Sequence, residues 1–313
     1  MGLFSNDKKP CPICGGATPR LLPTKIEGTP ICKDCAGKID LPNGAQNGMS
    51  LDDFRQYITF YDQNQELRDA FSETYRYDFG FFGGNLLLDS TQGLFRLKNS
   101  STSLVFEAAN LKSFRILEDG ATLFEGSREA LKCFKTDTED RARAMEPRIT
   151  RYMMELREHE MLERIDRLRN RNGEEDDHDS HFDAPTFDEQ APVQNFSVEL
   201  TLEHPYWEEC SWKTGAPSFD RECPSVEGYL CDYRNKVEDL HILAVNLMQL
   251  LNPGAPEIKV GDNTATQAAA QTTAQTAAVT DTAAEIKKYK ELLDAGILTE
   301  EEFTAKKKQL LGI

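Results

Sequence analysis

The first periodic stretch of the chain is helical. Phe54, Tyr57, Ile58, Tyr61 and Leu67 recur at about helical spacing behind Ser50, a residue suited to capping. Asp53 stands at the third helical position, where a carboxylate meets exposed N–H groups. The pattern predicts a helix from Ser50 to about Phe71. Strand signals follow. Leu86-Leu87-Leu88 and Leu94-Phe95-Arg96-Leu97 flank Asp89 to Gly93, which reads as a hairpin turn. Leu104-Val105-Phe106 predicts a third strand and Leu111 to Leu117 a fourth. Asp119-Gly120 is a strong hairpin signal leading into Thr122-Leu123-Phe124. Residues 137 to 172 are rich in Arg and Glu and predict a helix broken near Pro147. Its apolar stripe is Ile149, Tyr152, Met153, Leu156, Leu162, Ile165 and Leu168. Phe196 to Leu202 alternates cleanly as another strand. A last long helix is expected from about Ser225 to Leu251, carrying Tyr229, Val237, Leu240, Ile242, Leu243, Val245, Leu247 and Leu250.

The resulting fold class is α+β and multi-domain. A small loop-rich unit occupies residues 1–42, with six prolines between Pro10 and Pro42 and few long apolar runs. A β-rich domain spans 50–252, with a charged insertion at 137–192. Its strands and closing helix suggest a pleckstrin-homology-type barrel on architecture alone. Residues 253–284 read as a flexible linker, since 263 to 284 are mostly Ala, Thr and Gln without turn chemistry or an apolar face. A helical hairpin is expected at 285–313.

Composition adjusts this picture in two ways. The chain of 313 residues is 39% hydrophobic and 28% charged, which fits a globular protein. A mean hydropathy of -0.55 indicates that part of it never packs. No apolar run approaches the roughly 18–20 residues that cross a bilayer, and no apolar leader precedes the cysteine unit, so a cytoplasmic protein is expected. Gly2 meets the loose start of a myristoylation pattern, but Ser5 falls one place short of the usual Ser/Thr position. The net charge is -17. Eight acidic residues fall between Gly173 and Gln190 with no Lys or Arg among them, so nearly half of that charge is one solvated run. Such a balance argues against broad phosphate-backbone binding.

Candidate chemistry concentrates in the cysteines. Cys11, Cys14, Cys32 and Cys35 form two Cys-x2-Cys pairs seventeen residues apart. Two intervening residues let one tight turn present both sulfurs to one ion, and four such ligands complete a tetrahedron. Gly15 and Gly16 permit turn conformations that bring N–H groups toward the sulfurs. Between the pairs, Leu21, Leu22, Ile26 and Ile31 are the large apolar content, too little to fold about 30 residues unaided. A redox pair normally stands alone in a βαβ setting, which is absent. Rubredoxin-like iron shares the first pair's Cys-Pro-x-Cys-Gly, but the second pair lacks the following glycine. The expected cofactor is one structural Zn2+ held by all four thiolates, with no open position for catalytic water. Together with the Ser50 helix and the Asp89 to Gly93 hairpin, this segment resembles a bacterial zinc-ribbon family with no assigned activity. That resemblance implies a domain companion and nothing more.

The C-terminal residues carry a second resemblance. Ile286, Tyr289, Leu292 and Leu293 share one helical face, Gly296 is placed to end that helix, and Thr299 with Glu302 forms a capping box. Leu298 and Phe303 are placed as a hydrophobic staple, and Lys306, Lys307 and Lys308 suit the end of the second helix. Residues 285–312, through Ala295-Gly296-Ile297-Leu298-Thr299-Glu300-Glu301-Glu302-Phe303, resemble the short C-terminal domain family, SHOCT. The resemblance implies a terminal module that mediates oligomerisation. A hairpin this short must dock on something, either another copy or its own chain.

Other groups are weaker. His178 and His181 lie in the acidic run. His204, Cys210, Cys223 and Cys231 follow no common ligand spacing. Trp207 and Trp212 read as core or interface aromatics. The Arg-rich helix is interleaved with Glu155, Glu158, Glu160 and Glu163, so its faces largely neutralise. No phosphate loop, nucleophile elbow or His-Glu-x-x-His occurs, so no enzyme is expected. The sequence therefore suggests an oligomeric adaptor or scaffold with an unknown protein partner. The alternative is a nucleic-acid-binding protein acting through the ribbon, where residues 1–40 carry six basic against four acidic residues.

Overall fold

The computed structural model describes residues 10–80, 83–170 and 183–260. The expectations for the first nine residues, for His178 and His181, for the linker beyond Val260 and for the hairpin at 285–313 lie outside those residues.

The described chain is an α+β fold with a β-rich centre. Strands β1 (Lys25–Ile26) and β2 (Thr29–Pro30) form a short hairpin, followed by helix α1 (Lys33–Gly37). Helix α2 (Leu51–Gln63) starts where expected. Ser50 Oγ accepts from the Asp53 N–H at 3.1 Å while the Ser50 N–H donates to the Asp53 carboxylate at 3.1 Å, so both halves of a capping box are made. The predicted single helix is in fact two, because α3 (Gln65–Ala70) begins after a break at Asn64. There the buried Asn64 side chain donates to the Val105 carbonyl at 2.7 Å and accepts from the Val105 N–H at 3.0 Å. The break thus serves a strand forty residues away.

A four-stranded antiparallel meander comes next: β3 (Tyr75–Asp78), β4 (Asn85–Asp89), β5 (Leu94–Arg96) and β6 (Val105–Glu107). Asp89 is fully buried and organises the predicted turn, accepting from the N–H groups of Ser72, Thr91 and Gln92 and from the Thr91 hydroxyl. Those donors hold its carboxyl below the ordinary range although burial opposes them.

The larger sheet has six strands. In chain order they are β7 (Leu111–Glu118), β8 (Ala121–Gly126), β9 (Leu131–Phe134), β10 (Asn195–Leu202), β11 (Glu209–Gly215) and β12 (Glu257–Val260). Their order across the sheet is β11-β10-β7-β8-β9-β12, antiparallel except for the β9–β12 pair. The β7–β8 turn has φ of 46° at Asp119 and 87° at Gly120, the paired positive values of a tight hairpin. Phe196, Val198, Leu200 and Leu202 of β10 face inward as their alternation predicts.

Helices α4 (Thr138–Arg143) and α5 (Glu146–Asn170) lie between β9 and β10, and Pro147 falls in the first turn of α5, where a missing N–H costs nothing. The start of this region is core: Thr138 and Ala142 are fully buried. Helix α6 (Val226–Leu251) covers the six-stranded sheet through Leu240, Leu243, Ala244 and Leu247.

Strands β3, β9, β11 and β12 are additions to the sequence expectation. Three of them are sheet edges, where one ladder partner is missing and the apolar alternation is weak. β12 lies inside the stretch from 253 that reads as linker, so pairing continues at least to Val260. All four of its residues are exposed, and what holds it is backbone pairing to β9 rather than an apolar face.

Candidate metal centre

The two cysteine pairs are built differently and converge. The first lies in a loop closed by the Pro10–Ala17 bridge. The Cys11 N–H donates to the Gly16 carbonyl at 2.7 Å, and the Gly15 N–H to the Cys11 carbonyl at 2.8 Å. Gly15 takes φ of 76°, which turns the Gly16 N–H toward Cys14 Sγ at 3.4 Å. This is the role the glycines suggest in the sequence. The second pair uses a helix start instead. Cys32 is the N-cap of α1, and its sulfur accepts from the Cys35 N–H at 3.4 Å. That geometry explains why no glycine follows Cys35.

The sulfurs of Cys11 and Cys35 are 3.9 Å apart and those of Cys14 and Cys32 3.3 Å, with all four within 4.8 Å of one another. A tetrahedron with metal–sulfur bonds of about 2.3 Å has edges of about 3.8 Å. Cys11, Cys32 and Cys35 are buried and Cys14 is exposed. Burial pushes the Cys32 and Cys35 thiols up. At Cys11 burial acts the same way, but hydrogen bonds from the backbone of Cys14, Cys32 and Ile13 outweigh it and hold the thiol at about 6. Four thiolates in one place need a counter-charge, and a dication placed between the sulfurs supplies it. The four cysteines thus form a group that can bind one metal ion.

Of the four large apolar residues between the two cysteine pairs, only two contribute packing. Ile26 and Ile31 are fully buried, whereas Leu21 and Leu22 are 86% and 99% exposed. Leu41 is buried as well, and the unit is joined to the body of the protein through its own Asp40, which carried no signal in the sequence. The Asp40 N–H donates to Tyr57 Oη at 2.7 Å, and that hydroxyl donates to the Lys38 carbonyl at 2.7 Å. The Asp40 carboxylate accepts from Lys98 Nζ at 2.5 Å and from the Leu104 N–H at 2.7 Å. Its carbonyl accepts from Trp207 Nε1 at 3.1 Å. One residue therefore joins the cysteine unit to α2, to the β5–β6 connection and to the loop before β11. Arg55 adds a bond to the Pro12 carbonyl at 2.9 Å, and Glu27 accepts from the Leu51 N–H at 3.1 Å.

The weaker candidates separate. His204 is packed among aromatic rings, Cys210 is buried in β11, and Cys223 and Cys231 are exposed; they do not group as ligands. Trp207 is buried, and Trp212 stacks on Phe79 at 4.9 Å, so both are packing residues. A second group was not visible in the sequence: Cys133, His241 and Glu257 converge from three elements. Their separation along the chain leaves no spacing to read.

Among known families, the model of the Short C-terminal domain, SHOCT, matches residues 284–311. No curated protein and no solved structure matches the chain. Among the described residues no helix is long and apolar enough to cross a membrane.

Proposed function

We propose that the protein is a non-enzymatic, oligomerising adaptor. In this reading Cys11, Cys14, Cys32 and Cys35 hold one structural Zn2+, and residues 285–312 associate copies of the chain. The observation that carries it is the match of residues 284–311 to the short C-terminal domain, set behind an Ala-, Thr- and Gln-rich stretch. A module on a tether multiplies weak contacts by raising effective concentration. A zinc ion with four thiolate ligands has no open position for chemistry, so its part is structural. The thiol of Cys210 is buried in β11 and pushed up to about 12, far from an activated nucleophile. Nucleic-acid binding through the ribbon has less support. Lys38, one of the ribbon's basic residues, is engaged by Asp62 at 2.5 Å.

The test is the solution mass of the full chain beside a version ending at Asp262, which keeps β12. A multimer that becomes a monomer on truncation is the expected result. Two monomers, or two equal multimers, would remove residues 285–312 as the assembly module. Salt-dependent binding of nucleic acid by the truncated chain would favour the ribbon reading.

A further inference from the structure

Cys133 of β9, His241 of α6 and Glu257 of β12 place their ligand atoms within 4.8 Å of one another. Cys133 Sγ is 3.4 Å from Glu257 Oε1, and His241 Nε2 is 3.2 Å from Glu257 Oε2. In a tetrahedral zinc site with bonds of about 2.3 Å to sulfur and about 2.0 Å to nitrogen and oxygen, a sulfur–oxygen edge is about 3.5 Å. A nitrogen–oxygen edge is about 3.3 Å. The two contacts are of about those lengths, but each reaches a different oxygen of the Glu257 carboxylate, so they bracket that group rather than share one vertex.

Sheet register explains the convergence. Leu131 pairs with Glu257 and Cys133 with Lys259 in the parallel β9–β12 ladder. Paired residues share a face, so Glu257 and Cys133 stand diagonally on one side of the sheet. α6 lies across this side, with Leu131 buried beneath it, and presents His241 from above. The His241 ring lies 5.4 Å from that of Phe124, itself the cross-strand partner of Cys133.

The arrangement is not that of a cysteine nucleophile. In such a site the histidine touches the sulfur and the acid orients the histidine. Here the carboxylate stands between the two. Thiolate, imidazole and carboxylate together suit a borderline divalent ion, and the two anionic ligands balance its charge. Cys133 and His241 are half-buried and Glu257 is exposed, so a fourth position faces solvent and can take water.

We propose that Cys133, His241 and Glu257 form a second metal site, for a zinc-class divalent ion, which staples β12 to α6 and β9. β12 presents no buried side chain, so a metal bond at Glu257 would give this edge strand the anchor it otherwise lacks. This inference does not rest on the reading of the ribbon or of residues 285–312.

The experiment uses the full chain, stripped of metal and titrated anaerobically with Co(II). The ribbon and the second site have different spectra, because four thiolates give far stronger charge-transfer absorption than one. The expected result is two bound equivalents, the weaker carrying a single-thiolate band. Cys133→Ser, His241→Ala and Glu257→Gln should each lose that equivalent and keep the four-thiolate one, which also reports that the variant is folded. In the wild-type chain, Co(II) should also slow hydrogen exchange of the β12 amides. A single four-thiolate equivalent in the wild-type protein would overturn the proposal, leaving the triad as a hydrogen-bonded cluster. So would a second equivalent that survives Cys133→Ser and His241→Ala.

Discussion

His204 shows what burial does to a single titratable group. Its ring lies 5.2 Å from Phe60 and 4.9 Å from Phe106, and its Nδ1 accepts from the Tyr206 N–H at 3.2 Å. Burial among these rings lowers its pKa to about 4. An unfolded histidine titrates near about 6.5. Between those values the unfolded chain takes up a proton that the folded chain refuses, so stability falls as pH drops through that window. Denaturant unfolding from pH 7 to 4 should therefore show an acid slope that is shallower in His204→Phe. Equal slopes in the two proteins would mean that His204 is not the group responsible. Neither this environment nor the one around Gly126 could be read from local sequence. A Cβ at Gly126 would run into the Phe114 ring on the paired strand, and that pairing is a tertiary fact.

At the scale of elements, α5 is divided along its length. The sequence stripe runs unbroken from Ile149 to Leu168, yet only its first half is packed. Ile149 and Tyr152 are buried, and Tyr152 Oη donates to the Arg221 carbonyl at 3.1 Å. Ile165 and Leu168 are 51% and 59% exposed. Periodicity reports that a helix has an apolar face; it does not report where the partner surface ends. Ile149→Ala should cost about 2–4 kcal/mol, as deletion of a packed side chain does. Ile165→Ala should change stability by no more than about 0.5 kcal/mol, as an exposed substitution does. Chemical denaturation of both variants measures the contrast, and equal costs would place a partner surface over the second half of α5. The hairpin turns, with the strands they join, were more legible than the edge strands. Asp89 and Asp119-Gly120 act through their own backbone neighbourhood, whereas β3, β11 and β12 exist because another strand lies beside them.

For the whole molecule, the cysteine unit matters through its attachment. Asp40 ties it to three separate elements, and Phe54 and Tyr57 of α2 belong to the same continuous core as Cys11, Cys32 and Cys35. A unit so joined should not melt alone. Removing metal from the four thiolates with a strong chelator should lower the melting temperature of the chain ending at Asp262 and leave one transition. Two separated transitions would show instead that the unit unfolds independently of the body.

The division between what could be read early and what could not follows from distance along the chain. The cysteine pairs, the Ser50 capping box, the Asp119-Gly120 hairpin and the C-terminal family resemblance are each contained within a few tens of residues. Their chemistry is set by spacing, and spacing is what a sequence states directly. The role of Asp40, the break at Asn64, the environment of His204 and the meeting of Cys133 with His241 and Glu257 join segments forty to more than a hundred residues apart. Packing alone brings those segments together, through strand register and the seat of α6 on the sheet. Their side chains acquire a function only once the fold has made them neighbours.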